Sequence, residues 1–309
     1  GYFMERSWQE ALRSLIAGRV LFNESLRNHT SMGVGGPADA LVYPAGAEEL
    51  GQLLKFLRDR GLPSFILGNG TNVICRDGGF RGIVISLADL AVLQVVQDMG
   101  EKVLIRAEAG AGLGRLVDFT LRDSLTGMEF LAGIPGAVGG ALRMNAGAYG
   151  REIKDCTDSL EIMDGSGVTQ RIGRAGLHFD YRNLLLPAGA VILAGSFFLE
   201  KGESGGIKAR ISEILAARKE RHPLNFRNAG SIFKNPSGQP AGQIVDRLGL
   251  KGLKVGDAQI SPLHGNFIVN LGQASARDII DLIGQVKETV RTKAGICLEE
   301  EVKIIGDDS

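Results

Sequence analysis

The chain has 309 residues, 44% hydrophobic and 23% charged, and its 35 basic residues are balanced by 35 acidic ones. That is the composition of a globular protein long enough for two or three subdomains, and the lack of a basic stripe argues against nucleic acid. No apolar run reaches membrane-span length and no signal-peptide core opens the chain, while Cys75, Cys156 and Cys297 and the four histidines lack disulfide or metal-ligand spacing, so a cytoplasmic protein without metal or membrane insertion is expected.

Gly1 to Phe3, ahead of Met4, read as a cloning remnant. Glu5 to Ala17 predicts an amphipathic helix with Trp8, Leu12, Leu15 and Ile16 on one side. The turn-rich segment 29–39 leads through a strand at 41–44 to a helix over 48–60, closed by Gly61. An apolar strand running into a glycine turn covers 64–74, and further strands are read at 82–86, 91–97 and 102–109. Glycines at 109–114 open a helix that ends before Gly127. Short strands at 159–164 and 168–172, a polar-aromatic turn at 178–183 and a long strand at 190–200 follow. The charged, glycine-rich 201–206 is the best domain boundary, and a helix from Ile207 to Arg221, basic at its end as the macrodipole favours, comes next. The remainder mixes helix and strand over 240–248, 266–271, 275–294 and 297–305. Without the steady βαβ spacing of a doubly wound sheet, the fold class is α+β.

Glycine is the outlier, 44 of 309 residues, about twice the usual share. Six fall within 131–150 (Gly133, Gly136, Gly139, Gly140, Gly147 and Gly150), a stretch whose only charge is Arg143. A bare backbone serves where a flat or phosphorylated group must lie against main-chain N–H groups, so this stretch reads as the wall of a buried cofactor site. Residues 67–72 (LGNGTN) fit either a phosphate-facing turn, with Thr71 and Asn72 as added donors, or an Asn-Gly hairpin. The glycines at 109–114 miss the dinucleotide spacing and read as a helix entry.

At 230–236, GSIFKNP, Ser231 has no histidine beside it, which leaves a turn residue or a general acid. Arg182 within 181–183 and the acids of 299–302 read as solvated charges or site groups. Glu299 and Glu301 would share one strand face, and Leu298, Glu300, Val302 and Ile304 the other. Arg218 and Arg221 at a helix end suit a solvated face or an anion clamp.

Together these strings resemble one family, the flavin-dependent UDP-N-acetylenolpyruvoylglucosamine reductases of bacterial cell-wall synthesis. The resemblance rests on 28–39, 67–72, 131–140, 144–150, 181–183, 228–236, 264–270 and 298–306, which stand in the family's order across nearly the whole chain. It implies an FAD-binding domain of the vanillyl-alcohol-oxidase type in two α+β lobes over 28–200, after a lead-in at 1–27, and a C-terminal substrate domain at 207–309. FAD would be held noncovalently by Leu67, Gly68, Asn69, Gly70, Thr71 and Asn72, and by Gly133, Ile134, Pro135, Gly139, Gly140, Asn145, Gly147 and Ala148. NADPH would be the reductant, the flavin would deliver hydride to the vinyl carbon of UDP-N-acetylglucosamine-enolpyruvate, and a proton on the adjacent carbon would complete UDP-N-acetylmuramate.

The family's catalytic positions fall on Arg182 at the substrate carboxylate, Ser231 as proton donor and Glu301 at the enediolate. Tyr149, Arg218, Arg221, Lys234 and Asn235 are the implied substrate contacts. Only residues 183–230 separate Arg182 from Ser231, so the chain resembles the branch without the extra tyrosine-bearing loop. A monomer is expected. The alternatives are another FAD-dependent oxidase of the same fold, which calls for a different motif in place of 230–236, or a nucleotide-binding module, which leaves Arg182, Ser231 and Glu301 unexplained.

Overall fold

A computed structural model describes residues 2–308; Gly1 of the expected remnant and Ser309 of the expected C-terminal domain lie outside them. The chain divides into two compact units of interleaved segments, one of 1–22, 40–68 and 82–215, the other of 23–39, 69–81 and 216–309. Each has its own hydrophobic core.

In the first unit the helices are α1 (Tyr2–Leu15), α2 (Ala47–Asp59), α3 (Leu113–Arg122) and α4 (Val138–Arg143). Helix α2 forms because Leu50, Leu53, Leu54 and Leu57 recur on one face and all four are buried. Each such side chain contributes roughly 1.5–3 kcal/mol of burial. The main sheet is antiparallel, in the order Thr169–Gly173, Thr157–Met163, Val191–Lys201, Lys102–Glu108 and Leu93–Asp98, with Leu125–Thr126 also paired to Val191–Lys201. Strict alternation in Lys102–Glu108 turns Val103, Ile105 and Ala107 into the core. A second sheet runs Val20–Ser25, Pro37–Val42, Phe80–Ser86, Ser64–Leu67, its last pair parallel.

Helix α5 (Ser204–Arg221) carries the chain from one unit to the other, with Ile207, Ile211 and Ile214 buried. It starts inside the glycine-rich segment at 201–206, earlier than the predicted Ile207.

The second unit holds α6 (Ala241–Arg247), α7 (Ala276–Ala294) and an antiparallel sheet in the order Arg227–Asn228, Ile268–Asn270, Ala258–Ile260, Lys254–Val255. Helix α7 is sharply bounded. Ser275 and Asp278 form a reciprocal cap, the Asp77 carboxylate accepts the Ala276 and Arg277 N–H groups, and Gly295 ends the helix at φ 66°. The α+β class follows from these segregated helices and largely antiparallel sheets.

Two expectations are corrected. Residues 138–143, inside the stretch expected as a cofactor-site wall with no regular element, are helical, and of the strand expected over 297–305 only Lys303–Ile305 forms, with an isolated bridge between Phe233 and Glu300.

Candidate active site

The strands flanking 67–72 do not pair with each other: Ser64–Leu67 runs parallel to Phe80–Ser86, and Val73–Cys75 runs parallel to Lys303–Ile305. The hairpin alternative is thereby excluded. Gly70 is buried at φ 69°, and a β-carbon there would collide with the His29 carbonyl. Its own carbonyl accepts the Ser31 N–H at 2.8 Å. Nothing lies within 4 Å of where a Gly68 β-carbon would stand. Among the described residues no backbone N–H from 68 to 72 donates to a protein acceptor. A run of N–H donors beside a position without a side chain fits a diphosphate.

The 131–150 wall is built on α4. Val138 N–H donates to Ala111 and Gly139 N–H to Ala109, both at 2.9 Å, and Gly112 bridges Ala137. Gly139 therefore serves packing, since an added β-carbon would stand 3.0 Å from that of Ala109. Gly140 is different: it is exposed and nothing occupies its β-carbon space. Gly133 and Pro135 are exposed, and Ile134 is half-buried with its N–H on Leu131.

Gly147 and Ala148 pair with Glu152 and Arg151 in a short hairpin whose tip is Tyr149 and Gly150. Both tip residues have positive φ, 55° and 77°, the geometry of a type I′ turn. The turn thrusts the Tyr149 ring outward, 45% exposed, and the Arg210 guanidinium stands 5.4 Å from its centroid.

Residues 178–183, expected as a turn, form a hairpin of His178–Asp180 with Asn183–Leu185, and Tyr181 and Arg182 make its tip. Arg182 has φ 49°. Its Nη2 donates to the Gly147 carbonyl at 3.1 Å and its Nη1 to that of Asn145 at 3.4 Å. Glu152 Oε2 lies 3.8 Å from Nη1 and accepts Asn145 Nδ2–H at 2.8 Å. Asn145 is fully buried at φ 44°; its Nδ2 also donates to the Asp180 carbonyl at 3.0 Å, and its Oδ1 accepts the Lys154 N–H at 3.2 Å. A side chain at Gly147 would strike the Arg151 carbonyl first, then Glu152 and Arg182. Five non-glycine residues adopt positive φ among the described residues (Asn23, Ser124, Asn145, Tyr149 and Arg182), and three of the five are expected site residues. Such strain costs roughly 1–3 kcal/mol per residue and persists where surrounding structure imposes it. No motif flagged Glu152; only the fold brings it to Arg182.

Ser231 and Glu301 belong to the second unit. Gly230, at φ 70°, donates to Asn228 Oδ1, and Ile232 N–H donates to the Asn266 carbonyl, both at 2.9 Å. Glu301 N–H donates to the Ile232 carbonyl at 2.7 Å, which places Glu301 beside the residue that follows Ser231. Ser231 is half-buried. The burial alternation around Glu301 holds in part: Leu298 and Val302 are buried, while Glu300 pairs with Lys287 at 2.9 Å and Glu299 with Lys234 at 3.1 Å.

Lys234 therefore carries a carboxylate partner on an exposed flank, a pair of little worth to stability. Asn235 Oδ1 accepts the Ala241 N–H at the start of α6. Arg218 and Arg221 end α5 beside His222, whose ring lies 4.8 Å from that of Phe267 and 5.5 Å from that of His264. Burial, then the positive charge of Arg218, pushes the His222 pKa down to about 4, and burial lowers that of His264.

A family model described as UDP-N-acetylenolpyruvoylglucosamine reductase, C-terminal domain, matches residues 222–305, and one described as FAD binding domain matches 38–173. The chain is 53% identical over 300 residues to a UDP-N-acetylenolpyruvoylglucosamine reductase of Syntrophus aciditrophicus, covering 97% of this chain and 96% of that one. A Geotalea uraniireducens protein of the same name is 42% identical over 297 residues, with 96% and 97% covered. The crystal structure of UDP-N-acetylenolpyruvylglucosamine reductase from Thermus caldophilus matches with a TM-score of 0.79 at 36% identity, over 94% of this chain and 100% of that one. No helix among the described residues is long and apolar enough to cross a membrane.

Proposed function

The chain belongs to the UDP-N-acetylenolpyruvoylglucosamine reductase family, and we propose that it is an NADPH-dependent enzyme reducing the enolpyruvyl ether of UDP-N-acetylglucosamine-enolpyruvate to UDP-N-acetylmuramate. The family is FAD-dependent, and the open N–H groups of 68–72 with the side-chain-free space at Gly68 and Gly140 fit a flavin nucleotide. Bound there, FAD supplies a hydride acceptor and donor. Residues 67–72 take the diphosphate; Gly133, Ile134, Pro135, Gly140, Gly147 and Ala148 line the ring, and Gly139 sets their spacing. Asn145, fully buried and bonded to Glu152, supports this wall from behind instead of facing the ring.

The observation that carries the reading is Arg182, held in a left-handed conformation with each terminal nitrogen on a backbone carbonyl. A guanidinium is a planar fork of donors whose geometry matches a carboxylate. Hydride addition at the vinyl carbon drives negative charge onto the adjacent carbon and into the carboxylate, and Arg182 stabilises that charge. Ser231 delivers the proton to the adjacent carbon. A serine hydroxyl is a weak acid in water, but an enediolate is strongly basic and the mismatch narrows in a dry site. Glu301, fixed through Ile232, orients the intermediate. Arg218 and Arg221 offer cations to the substrate diphosphate, Tyr149 covers the sugar or nucleotide, and Lys234 and Asn235 border Ser231.

We place the substrate domain at 207–309, the flavin-binding domain at 28–200 behind the 1–27 lead-in, and the protein in the cytoplasm as a monomer. The test is anaerobic reduction by NADPH followed by reoxidation with UDP-N-acetylglucosamine-enolpyruvate against dioxygen. Rapid reoxidation by the enolpyruvyl sugar is expected. Reoxidation by dioxygen alone identifies an oxidase instead.

A further inference from the structure

Arg182 does not stand alone at its hairpin tip. Its two carbonyl partners, Asn145 and Gly147, lie on one short stretch, and Glu152 contacts both residues, pairing with Gly147 in the hairpin and accepting from the Asn145 side chain. Glu152 Oε2 accepts the buried Asn145 side chain at 2.8 Å and lies 3.8 Å from Arg182 Nη1, while its Oε1 is 3.5 Å from Lys154 Nζ. One carboxylate thus ties down the residue that supplies an acceptor to Arg182 and also attracts the guanidinium directly. Asn145 sits at φ 44°, a left-handed conformation that asparagine enters more readily than most residues, and its side-chain bonds to Glu152, Asp180 and Lys154 hold the residue there. Glycine at 147 is required first by the hairpin backbone, since a β-carbon would stand 2.6 Å from the Arg151 carbonyl oxygen. It also leaves room for Glu152 Cγ and Arg182 Nη1, which that carbon would meet at 2.9 Å and 3.2 Å.

We propose that Glu152, acting with Asn145, is a positioning residue that aims the Arg182 fork at the carboxylate of the substrate. This rests on the reading of Arg182 as the carboxylate clamp. An anion 3.8 Å from that cation has two opposed effects. It holds the guanidinium in place, and it competes electrostatically with the incoming carboxylate. Competition is weakened because Lys154 shares the charge and both side chains are partly solvated. Misplacement of a reacting group, by contrast, costs up to ~100-fold. Orientation therefore dominates.

Two unreactive probes separate these effects on the oxidised holoenzyme: UDP-N-acetylmuramate, which carries the carboxylate, and UDP-N-acetylglucosamine, which lacks it. Calorimetry of Glu152→Gln is expected to show the preference for the carboxylate-bearing ligand reduced by about tenfold, with the other ligand bound within about twofold of wild type. Glutamine can still accept from Asn145, so flavin content and circular dichroism stay native. In an Arg182→Ala background the same substitution is expected to change nothing further.

An unchanged preference, tighter binding of the carboxylate ligand, or equal weakening of both ligands would overturn the proposal. So would an undiminished effect in the Arg182→Ala background. If Arg182→Ala itself leaves the preference at wild type, the clamp reading falls and takes this proposal with it. Loss in Arg182→Ala without loss in Glu152→Gln overturns the proposal alone. Should Glu152→Gln fail to retain flavin, Glu152→Asp, which withdraws the charge by one methylene, is expected to shift the preference in the same direction.

Discussion

Asn266 grips the backbone of Phe233 from both sides, its Oδ1 accepting the N–H and its Nδ2 donating to the carbonyl, each at 2.9 Å. Asn266 and Phe233 are both buried, at 5% and 2% exposure, so water cannot replace either bond. Asn266→Leu strands two buried backbone groups at about 1–3 kcal/mol each. Urea unfolding is expected to show a loss of about 2–6 kcal/mol. Because the Asn266 carbonyl also accepts the Ile232 N–H, the loss should extend to the placement of Ser231.

On the proposed assignment of Ser231 as proton donor, Ser231→Ala removes a hydroxyl needed only when the substrate carbon is protonated. Flavin reduction by NADPH should remain near wild type, while reoxidation by the enolpyruvyl sugar slows by about 100- to 10,000-fold. Stopped-flow traces of the two half-reactions make the comparison. Equal impairment of both would assign Ser231 a structural role.

Arg182→Lys is expected to be nearly as damaging as Arg182→Ala. The guanidinium spans two carbonyls, Asn145 and Gly147, through different nitrogens, and an ammonium point charge cannot hold both and still present a fork. The loss should be about 100-fold in turnover, comparable to removing one preorganised donor from an oxyanion site. Single-turnover reoxidation measures it.

Much of the frame was legible because local signals agreed with the fold. The 48–60 expectation met α2 at Ala47–Asp59 through its leucine spacing, and 275–294 met α7 with Ser275 at its cap. Helix α4 was hidden because Gly139 and Gly140 argue against helix by propensity, and non-local bonds to Ala109 and Ala111 help fix its first turn. The hairpin at 67–72 could be rejected only once both flanking strands were seen to pair elsewhere. Glu152 was invisible for a related reason. Its contact is with Arg182, which a hairpin from a later stretch of chain delivers to it.

His222 gives the second unit a pH dependence whose sign can be worked out. In the native state its pKa is about 4, against 6.5 for the free side chain, and it faces His264, Phe267 and the arginines at 218 and 221. Between those values the unfolded chain binds a proton that the native state refuses, so stability rises with pH through this window. The contribution is fully present above pH 6.5 and is lost as pH falls toward 4. His222→Phe keeps the ring contact with Phe267 and should flatten the curve between these values. His264, shifted in the same direction, leaves a residual slope. Thermal unfolding across this range, with the His222 titration followed by NMR, provides the check.

Gly140 separates what the fold wants from what a flavin wants. It sits inside α4 with nothing within 4 Å of its β-carbon position, and its φ is not in the left-handed region. Alanine there removes a glycine penalty of about 1 kcal/mol, so the flavin-free protein should melt at a higher temperature than wild type. If the open space is where the isoalloxazine lies, the added methyl intrudes on the ring and FAD binding weakens by about tenfold or more. The two effects have opposite signs, and calorimetric melting of the deflavinated protein alongside FAD titration resolves them. Weaker FAD binding with a raised melting temperature places the ring against α4, whereas unchanged affinity moves it elsewhere along the wall.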